Sequence, residues 1–162
     1  TGHEWFQLYL NGTHISNAGV KEYEVAKKKI SENVQKIYNS ISLLLENLNL
    51  KMTDCFVMGF SQGGMMAFEL GQILQNQLAG LAIISSRIIS KEHEPNNAFL
   101  KTPIFISHGA QDAVLPVSNY NESLEVLKKY NFNYENYLIK TDEHTMSQDT
   151  ITFFQNFIKK NI

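Results

Sequence analysis

Four short segments with strand-like patterns, separated by stretches of helical pattern, constrain the fold of this chain more than any other feature. They lie at residues 54–60, 81–84, 104–106 and 133–139. Strands that alternate with helices form βαβ units, and the strands of such units pair in parallel. The polar stretch at 90–102, which contains Pro95, is expected to be a loop. The sequence therefore predicts a single α/β domain over residues 1–162, with a mainly parallel sheet flanked by helices.

Helices are expected at 20–48, 62–75 and 117–130, and a last one from an N-cap at Ser147. In the first helix, the apolar stripe is expected to bury Val25, Ile30, Val34, Ile37, Ile41, Leu44, Leu45 and Leu48. The last helix is expected to bury Ile151, Phe154, Phe157 and Ile158. Among the strands, 54–60 is almost continuously apolar, which is typical of burial on both faces. The strand at 133–139 alternates polar and apolar residues, which is typical of a sheet edge.

The charge balance and the cysteine count exclude several classes of function. The 162 residues include 14 basic and 16 acidic side chains, a formal net charge of -2. That balance offers no basic surface for nucleic acid. No stretch approaches the roughly 20 apolar residues of a membrane helix, so we expect no stable membrane insertion. The one cysteine, Cys55, cannot form an internal disulfide and is expected to be a buried, inert thiol in a cytoplasmic protein.

Residues 59–63 read Gly-Phe-Ser-Gln-Gly, which has the form G-x-S-x-G, and they stand where a strand gives way to a helix. In this arrangement the serine occupies a tight, strained turn that projects its hydroxyl above the sheet. Glycines on either side avoid side-chain collisions in the turn. Ser61 is therefore the candidate nucleophile, and the N–H of Gln62 at the helix N-terminus is a candidate oxyanion donor. A purely structural tight turn is the alternative interpretation.

A serine hydroxyl is a weak nucleophile and needs a base that is itself held by a third group. In folds with this motif the acid and the histidine follow the serine in that order, each on a loop after a later strand. Asp112 follows the strand at 104–106, and His144 follows the strand at 133–139. Because the strands are parallel, both side chains are expected at the same sheet edge as Ser61.

Other residues fit these roles less well. Asp142 and Asp149 are close to His144 in sequence and stay open as alternatives for the acid, although Asp149 suits the first turn of the last helix. His108 ends a strand before a glycine, where a structural hydrogen bond is expected. Exposed, capping or wrong-edge positions are expected for the remaining candidates, which are His3, His14, His93, Asp54 and Glu69.

Four segments of the chain resemble the phospholipase/carboxylesterase family of small α/β-hydrolases, which includes acyl-protein thioesterases and bacterial carboxylesterases. Residues 59–64 are similar to the nucleophile signature of that family, and residues 108–116, His-Gly-Ala-Gln-Asp-Ala-Val-Leu-Pro, are similar to its acid-loop signature. The stretch at 81–89 and the pair Trp5-Phe6 also resemble family segments. The resemblance covers nearly the whole chain.

This resemblance implies Ser61 as nucleophile, Asp112 as orienting acid and His144 as general base. It also implies the backbone N–H of Gln62 as an oxyanion donor, and neither a metal nor an organic cofactor. Glu143 departs from the family, which usually has glycine before its histidine. That departure bears on the detailed geometry of the loop around His144.

The family fold begins with several strands before the Trp5 region, and a loop after one of them supplies a second oxyanion N–H. Nothing in this sequence corresponds to them. The strand at 54–60, if interior, also needs a neighbour on each side. We therefore expect about 60 N-terminal residues to be missing, from typical βα unit lengths. The missing segment is expected to pair with residues 54–60.

The predicted function is hydrolysis of carboxylic esters or thioesters through an acyl-enzyme on Ser61, of the carboxylesterase, lysophospholipase or acyl-protein thioesterase type. The substrate is expected to be a small-molecule or lipid acyl ester or thioester. Met65 and Met66 either line an acyl pocket or fill the helix–sheet core. A non-catalytic, truncated α/β-hydrolase fragment or binding module is the alternative. The sequence predicts neither the acyl chain length nor the oligomeric state.

Overall fold

A short antiparallel hairpin opens the part of the chain, residues 3–162, that this computed structural model describes. Strand β1 (Tyr9–Leu10) pairs with β2 (Thr13–His14). Between them, Asn11 and Gly12 both have positive φ, +49° and +79°. An Asn-Gly pair with two positive φ angles is the combination that favours a tight two-residue hairpin turn. This hairpin was not predicted from the sequence.

The main sheet has four parallel strands, which confirms the predicted α/β class. They are β3 (Phe56–Phe60), β4 (Gly80–Ile84), β5 (Ile104–Gly109) and β6 (Tyr134–Ile139). Their spatial order is β3-β4-β5-β6, the same as their order in the chain. All four carboxyl ends therefore meet at one edge of the sheet, where parallel α/β sheets place their functional residues.

In residues 3–162, five α-helices connect and cover the sheet: α1 (Val20–Asn47), α2 (Gln62–Ile73), α3 (Asn97–Leu100), α4 (Val117–Lys129) and α5 (Gln148–Lys160). The side chains of α1, α2 and α4 pack with Leu81, Ile83, Ile104 and Ile106 in one large apolar cluster. On the other face, Phe157 of α5 packs against Ala82, Ile84 and Phe105. Successive residues of β4 thus point to opposite faces, and the sheet is sandwiched between two helical layers.

Within residues 3–162, strand 54–60 is not buried on both faces as its apolar pattern predicted, and its expected pairing with a further N-terminal segment stays a prediction. β3 has one strand neighbour, β4, and lies at an edge of the sheet. Met58 is 45% exposed and Phe60 is 38% exposed. The continuous apolar pattern indicates that both faces of the strand can be buried. It does not indicate whether the strand has a neighbour on each side.

The helices differ from the predicted stripes in a similar way. In α1 the fully buried residues are Ala26, Ile30, Val34 and Leu45, whereas Val25, Leu44 and Leu48 are more than half exposed. In α5 the Ser147 side chain accepts the N–H of Thr150, as expected of an N-cap. Of the apolar residues predicted for the core of α5, Phe157 alone is fully buried.

The segment predicted as a polar loop, 90–102, contains α3 and contributes to the core. Phe99 is buried, and its ring lies with centroid distances of 5.0 Å and 4.9 Å from the rings of Phe68 and Phe132. Cys55, predicted to be buried, is half-buried with a free thiol, and burial raises its pKa. Within residues 3–162, no helix combines the length and the apolar character needed to cross a bilayer.

Candidate active site

Ser61 stands at the turn between β3 and α2 in a strained backbone conformation. Its φ is +53° and its ψ is -125°, and it is the N-cap residue of α2. A positive φ in a non-glycine residue is uncommon, and it persists only where the surroundings enforce it. The N–H of Ser61 donates to the carbonyl of Ile84 on the neighbouring strand, at 2.9 Å. The turn is thus fastened to the sheet directly beneath the hydroxyl.

Two glycines make this turn possible, and one of them is not the residue that the motif suggests. A Cβ on Gly59 would lie 2.1 Å from the carbonyl oxygen of Gly63, a distance that no side chain tolerates. A Cβ on Gly64 would lie 2.6 Å from the Cβ of Ser86. A Cβ on Gly63 would meet nothing within 4 Å. The expectation that glycine is needed on both sides of Ser61 is therefore correct for Gly59 and wrong for Gly63.

The structure brings Ser61, His144 and Asp112 together at the carboxyl edge of the sheet. The Oγ of Ser61 lies 2.9 Å from Nε2 of His144, and Nδ1 of His144 lies 2.8 Å from Oδ2 of Asp112. Along the chain, His144 is 83 positions from Ser61 and 32 positions from Asp112. Their side chains come from the loops that follow β3, β5 and β6.

These contacts fix the hydrogen positions on the imidazole. A carboxylate oxygen only accepts, so Nδ1 of His144 carries a hydrogen and donates it to Asp112. In the tautomer with its single hydrogen on Nδ1, Nε2 accepts the hydroxyl hydrogen of Ser61. The side chain of Asp112 is fully buried, and that of His144 is 18% exposed. The ring of Phe60 lies 4.9 Å from the His144 ring, centroid to centroid, and shields one side of it.

Asp112 is held in place by donors from its own loop. Its Oδ1 accepts the N–H groups of Val114 and Leu115 at 2.9 Å and 2.8 Å. This leaves Oδ2 directed toward His144 at the distance of a charge-assisted hydrogen bond.

His108 has the structural position that the sequence suggested. Its Nε2 donates to the carbonyl of Leu115 at 2.8 Å and lies 3.4 Å from Oδ2 of Asp112. Burial lowers the pKa of His108, which favours the neutral ring. A neutral ring with its hydrogen on Nε2 packs beneath the acid loop and supports the position of Asp112.

Gln62 has two functional groups at this site. Its backbone N–H lies in the first turn of α2, where such groups have no intrahelical acceptor and the helix dipole favours negative charge. Its side chain accepts the N–H of Trp5 at 2.8 Å and donates to the carbonyl of Phe6 at 2.7 Å. These two side-chain hydrogen bonds join Gln62 to Trp5 and Phe6, which are 57 and 56 positions away in the chain. They were not predicted from the sequence.

A pair of serines that follows β4 was not predicted from the sequence to belong to the site. The hydroxyl of Ser86 donates to the carbonyl of Ser61 at 2.5 Å, and the hydroxyl of Ser85 donates to the carbonyl of Thr145 at 2.9 Å. A serine pair at the carboxyl end of a parallel strand was the available signal, because that is the edge on which the candidate site was expected.

The remaining candidates lie away from the Ser61 hydroxyl or have other roles. Asp149 is exposed in the first turn of α5, as expected. Asp142 is buried, and its main-chain carbonyl accepts the N–H of Gln111 at 2.9 Å. Exposed positions are observed for His3, His93 and Asp54. His14, which was expected to be exposed, is partly buried and caps a short 3-10 turn through Nδ1.

Two further expectations concern the helix after Ser61. The prediction of a surface or capping role for Glu69 is wrong, because this carboxyl group is buried in the core. Met65 and Met66 are both buried in the main apolar cluster, as expected of core residues. Met66 also lines an apolar groove of about 250 Å³ together with Trp5 and Gly63. Across residues 3–162, no three His, Cys, Asp or Glu side chains are grouped so that they could hold a metal ion.

The parallel sheet between helical layers and the strained serine turn at its carboxyl edge define the α/β-hydrolase fold. The family model described as Phospholipase/Carboxylesterase matches residues 3–162 of this chain. The chain belongs to the phospholipase/carboxylesterase family.

Three relatives illustrate the extent of the similarity. The chain is 27% identical over 158 residues to acyl-protein thioesterase 1 of Saccharomyces cerevisiae, covering 88% of this chain and 67% of the yeast protein. It is 23% identical over 162 residues to acyl-protein thioesterase 1 of Debaryomyces hansenii, covering 93% and 70%. The crystal structure of Arabidopsis thaliana SOBER1 superimposes with a TM-score of 0.80 at 20% identity, covering 98% of this chain and 73% of that one. This last match supports the fold alone.

Proposed function

We propose that this protein is a serine hydrolase of acyl esters or thioesters in which Ser61 is the nucleophile, His144 the general base and Asp112 the orienting acid. The observation that carries the proposal is the pair of contacts on the imidazole, 2.9 Å to the Ser61 hydroxyl and 2.8 Å to the Asp112 carboxylate. Membership of the phospholipase/carboxylesterase family and the thioesterase names of the yeast relatives support the same substrate class.

In the first half of the reaction, Ser61 attacks the acyl carbonyl while Nε2 of His144 takes the hydroxyl proton. The imidazolium that forms is stabilised by Asp112, which keeps its negative charge. His144 then gives the proton to the departing alcohol or thiol, and an acyl-enzyme remains on Ser61. In the second half, water attacks the acyl-enzyme with His144 again as base, which releases the carboxylic acid and restores the serine.

The negative charge that develops on the carbonyl oxygen needs a donor that is already oriented. We assign the backbone N–H of Gln62 to this role because it lies next to the nucleophile at the N-terminus of α2. The helix dipole adds a favourable interaction with the oxyanion.

The non-catalytic alternative is not favoured. A binding module has no reason to keep a serine at a φ of +53° in contact with an imidazole that is itself held by a buried carboxylate. Strain of this kind is usually retained where it serves a reaction.

Hydrolysis of p-nitrophenyl esters of increasing acyl length tests the proposal and reports acyl preference. Wild-type protein should release p-nitrophenol in a saturable manner, and Ser61→Ala and His144→Ala should each lose at least about 10³-fold in kcat. Serine at position 40, on an exposed face of α1, provides a matched control as Ser40→Ala. Wild-type turnover by Ser61→Ala would refute the assignment of the nucleophile.

A further inference from the structure

Ser85 and Ser86 connect the two loops that hold the reacting side chains. Both residues are 1% exposed and directly follow β4, between the loop of Ser61 and the loop of His144. Ser86 donates to the main-chain carbonyl of Ser61 itself. Ser85 donates to the carbonyl of Thr145, the residue after the histidine. These two adjacent serines therefore bind the backbone of both loops, the one that holds Ser61 and the one that holds His144.

The nucleophile side of this connection depends on close approach. Gly64 has no side chain, and a Cβ there would lie 2.7 Å from the hydroxyl oxygen of Ser86. The missing side chain lets the first turn of α2 approach Ser86 closely enough for its hydroxyl to reach the Ser61 carbonyl. The main chain of Ser61 is thus held at its N–H by Ile84 and at its carbonyl by Ser86.

The histidine side depends on tethers, because residues 142–147 form neither helix nor strand. Before the histidine, the carbonyl of Asp142 accepts the N–H of Gln111 at 2.9 Å. After it, the carbonyl of Thr145 accepts the hydroxyl of Ser85. The two bonds flank His144 and restrict the movement of an otherwise irregular segment.

The backbone of Ser85 is strained in a way that burial alone does not explain. Its φ is +44°, a region that non-glycine residues rarely adopt, and its N–H donates to the carbonyl of Ser107 at 2.9 Å. Glycine would adopt this conformation without strain. A serine is kept here although glycine fits the backbone better, and the feature that glycine would lose is the hydroxyl bond to the histidine loop.

We propose that Ser85 and Ser86 are positioning residues that hold Ser61 and His144 at the distance needed for proton transfer. The proposal rests on the proposed function of that pair. Neither hydroxyl is assigned contact with the substrate, so both act through the main chain of the loops they bind. A displacement of reacting groups by about 1 Å can reduce a rate by about 10²-fold.

The test measures kcat, KM and thermal stability for Ser85→Gly and Ser86→Ala, with Ser40→Ala as control. Ser40 also donates its hydroxyl to a main-chain carbonyl at 2.9 Å, that of Lys36, but on an exposed face of α1. We expect kcat to fall about tenfold or more in Ser85→Gly and Ser86→Ala, with KM unchanged within about twofold. Ser85→Gly should melt within a few degrees of wild type, because relief of the positive φ offsets the lost hydrogen bond.

Activity and stability should therefore separate in Ser85→Gly, which a merely structural role would not produce. Wild-type kcat in both variants would overturn the proposal, as would a loss of activity that matches the loss of folded protein. If Ser61→Ala, assayed alongside, hydrolyses the ester at the wild-type rate, then the proposed function fails instead. If Ser85→Gly does not fold, Ser86→Ala and Ser85→Ala test the positioning role instead. For these variants, too, kcat should fall further than the fraction of folded protein does.

Discussion

Relative to a Glu69→Gln variant, the wild-type protein should lose stability as the pH rises. Glu69 lies in α2 and is 6% exposed. The hydroxyl of Tyr23 donates to its Oε2 at 3.2 Å, and Oε1 has no partner among the described residues. Burial raises the pKa of Glu69 to about 7 and outweighs Ser90 and Tyr23, which lower it. Burial, followed by the interaction with Glu69, raises the pKa of Tyr23.

The sign of the effect follows from where the proton is bound. In the unfolded chain the carboxyl group titrates near its ordinary value of 4.5, and in the folded protein it titrates near 7. The folded state therefore holds the proton more tightly, and stability is lost as the pH rises from below 4.5 through about 7. A shift of this size corresponds to about 3 kcal/mol in total, of which about 2.5 kcal/mol falls between pH 5 and pH 8.

Urea denaturation of wild type and Glu69→Gln at pH 5 and pH 8 measures this directly. Other groups titrate in both proteins, so the informative quantity is the difference in unfolding free energy between the two. That difference should grow by about 2 to 3 kcal/mol in favour of the glutamine variant as the pH is raised. A difference that does not change with pH would show that Glu69 is ionised in the folded state and that the burial argument is wrong.

Three further predictions concern the serine turn, the candidate acid and a buried arginine. Gly59→Ala should unfold at a much lower urea concentration than Gly63→Ala. The added methyl group would lie 2.1 Å from the Gly63 carbonyl oxygen in the first variant and would meet open space in the second. Equal midpoints of urea unfolding would contradict this. Asp112→Asn should lower kcat by about 10³ to 10⁴-fold with little loss of stability, since an amide no longer holds the required imidazole tautomer; a loss below tenfold in ester turnover would exclude Asp112 as the orienting acid. Arg87→Met should lower the free energy of unfolding in urea by about 2 to 4 kcal/mol, because the buried guanidinium donates to the carbonyls of Ile15 and Ser16 and pairs with Glu122. An unchanged free energy of unfolding would show that apolar packing replaces these bonds.

The elements that sequence reasoning placed well are those specified by local pattern. The alternation of apolar runs and helical stretches predicted the parallel sheet, and the order of Ser61, Asp112 and His144 placed all three on the loops where the structure has them. These inferences needed only the rule that parallel strands share a carboxyl edge.

The features that were missed depend on contacts between distant segments. Burial of Glu69 results from the packing of α1 and the segment after Ile89 over α2, and no residue adjacent to Glu69 in sequence signals it. The hydroxyl bonds of Ser85 and Ser86 span 60 and 25 positions of the chain. The hairpin turn at Asn11-Gly12, by contrast, had a local signal that was not used.

Within residues 3–162, β3 lies at an edge of the sheet, although its apolar pattern is typical of an interior strand. Its sequence is apolar enough for an interior strand, and the structure leaves Met58 and Phe60 more than a third exposed. A strand's neighbours are set by the topology of the whole sheet, which residues 54–60 do not encode.

Covalent labelling by a fluorophosphonate, with the modified residue located by mass spectrometry of peptides, tests whether Ser61 is the nucleophile. The reagent reacts with serines whose hydroxyl is activated by a base, the role we propose for His144, whose Nε2 lies 2.9 Å from Oγ of Ser61. We expect one label per molecule, on the peptide that contains Ser61, and a label reduced to background in Ser61→Ala. Attachment to a different serine, or undiminished labelling of Ser61→Ala, would contradict the account.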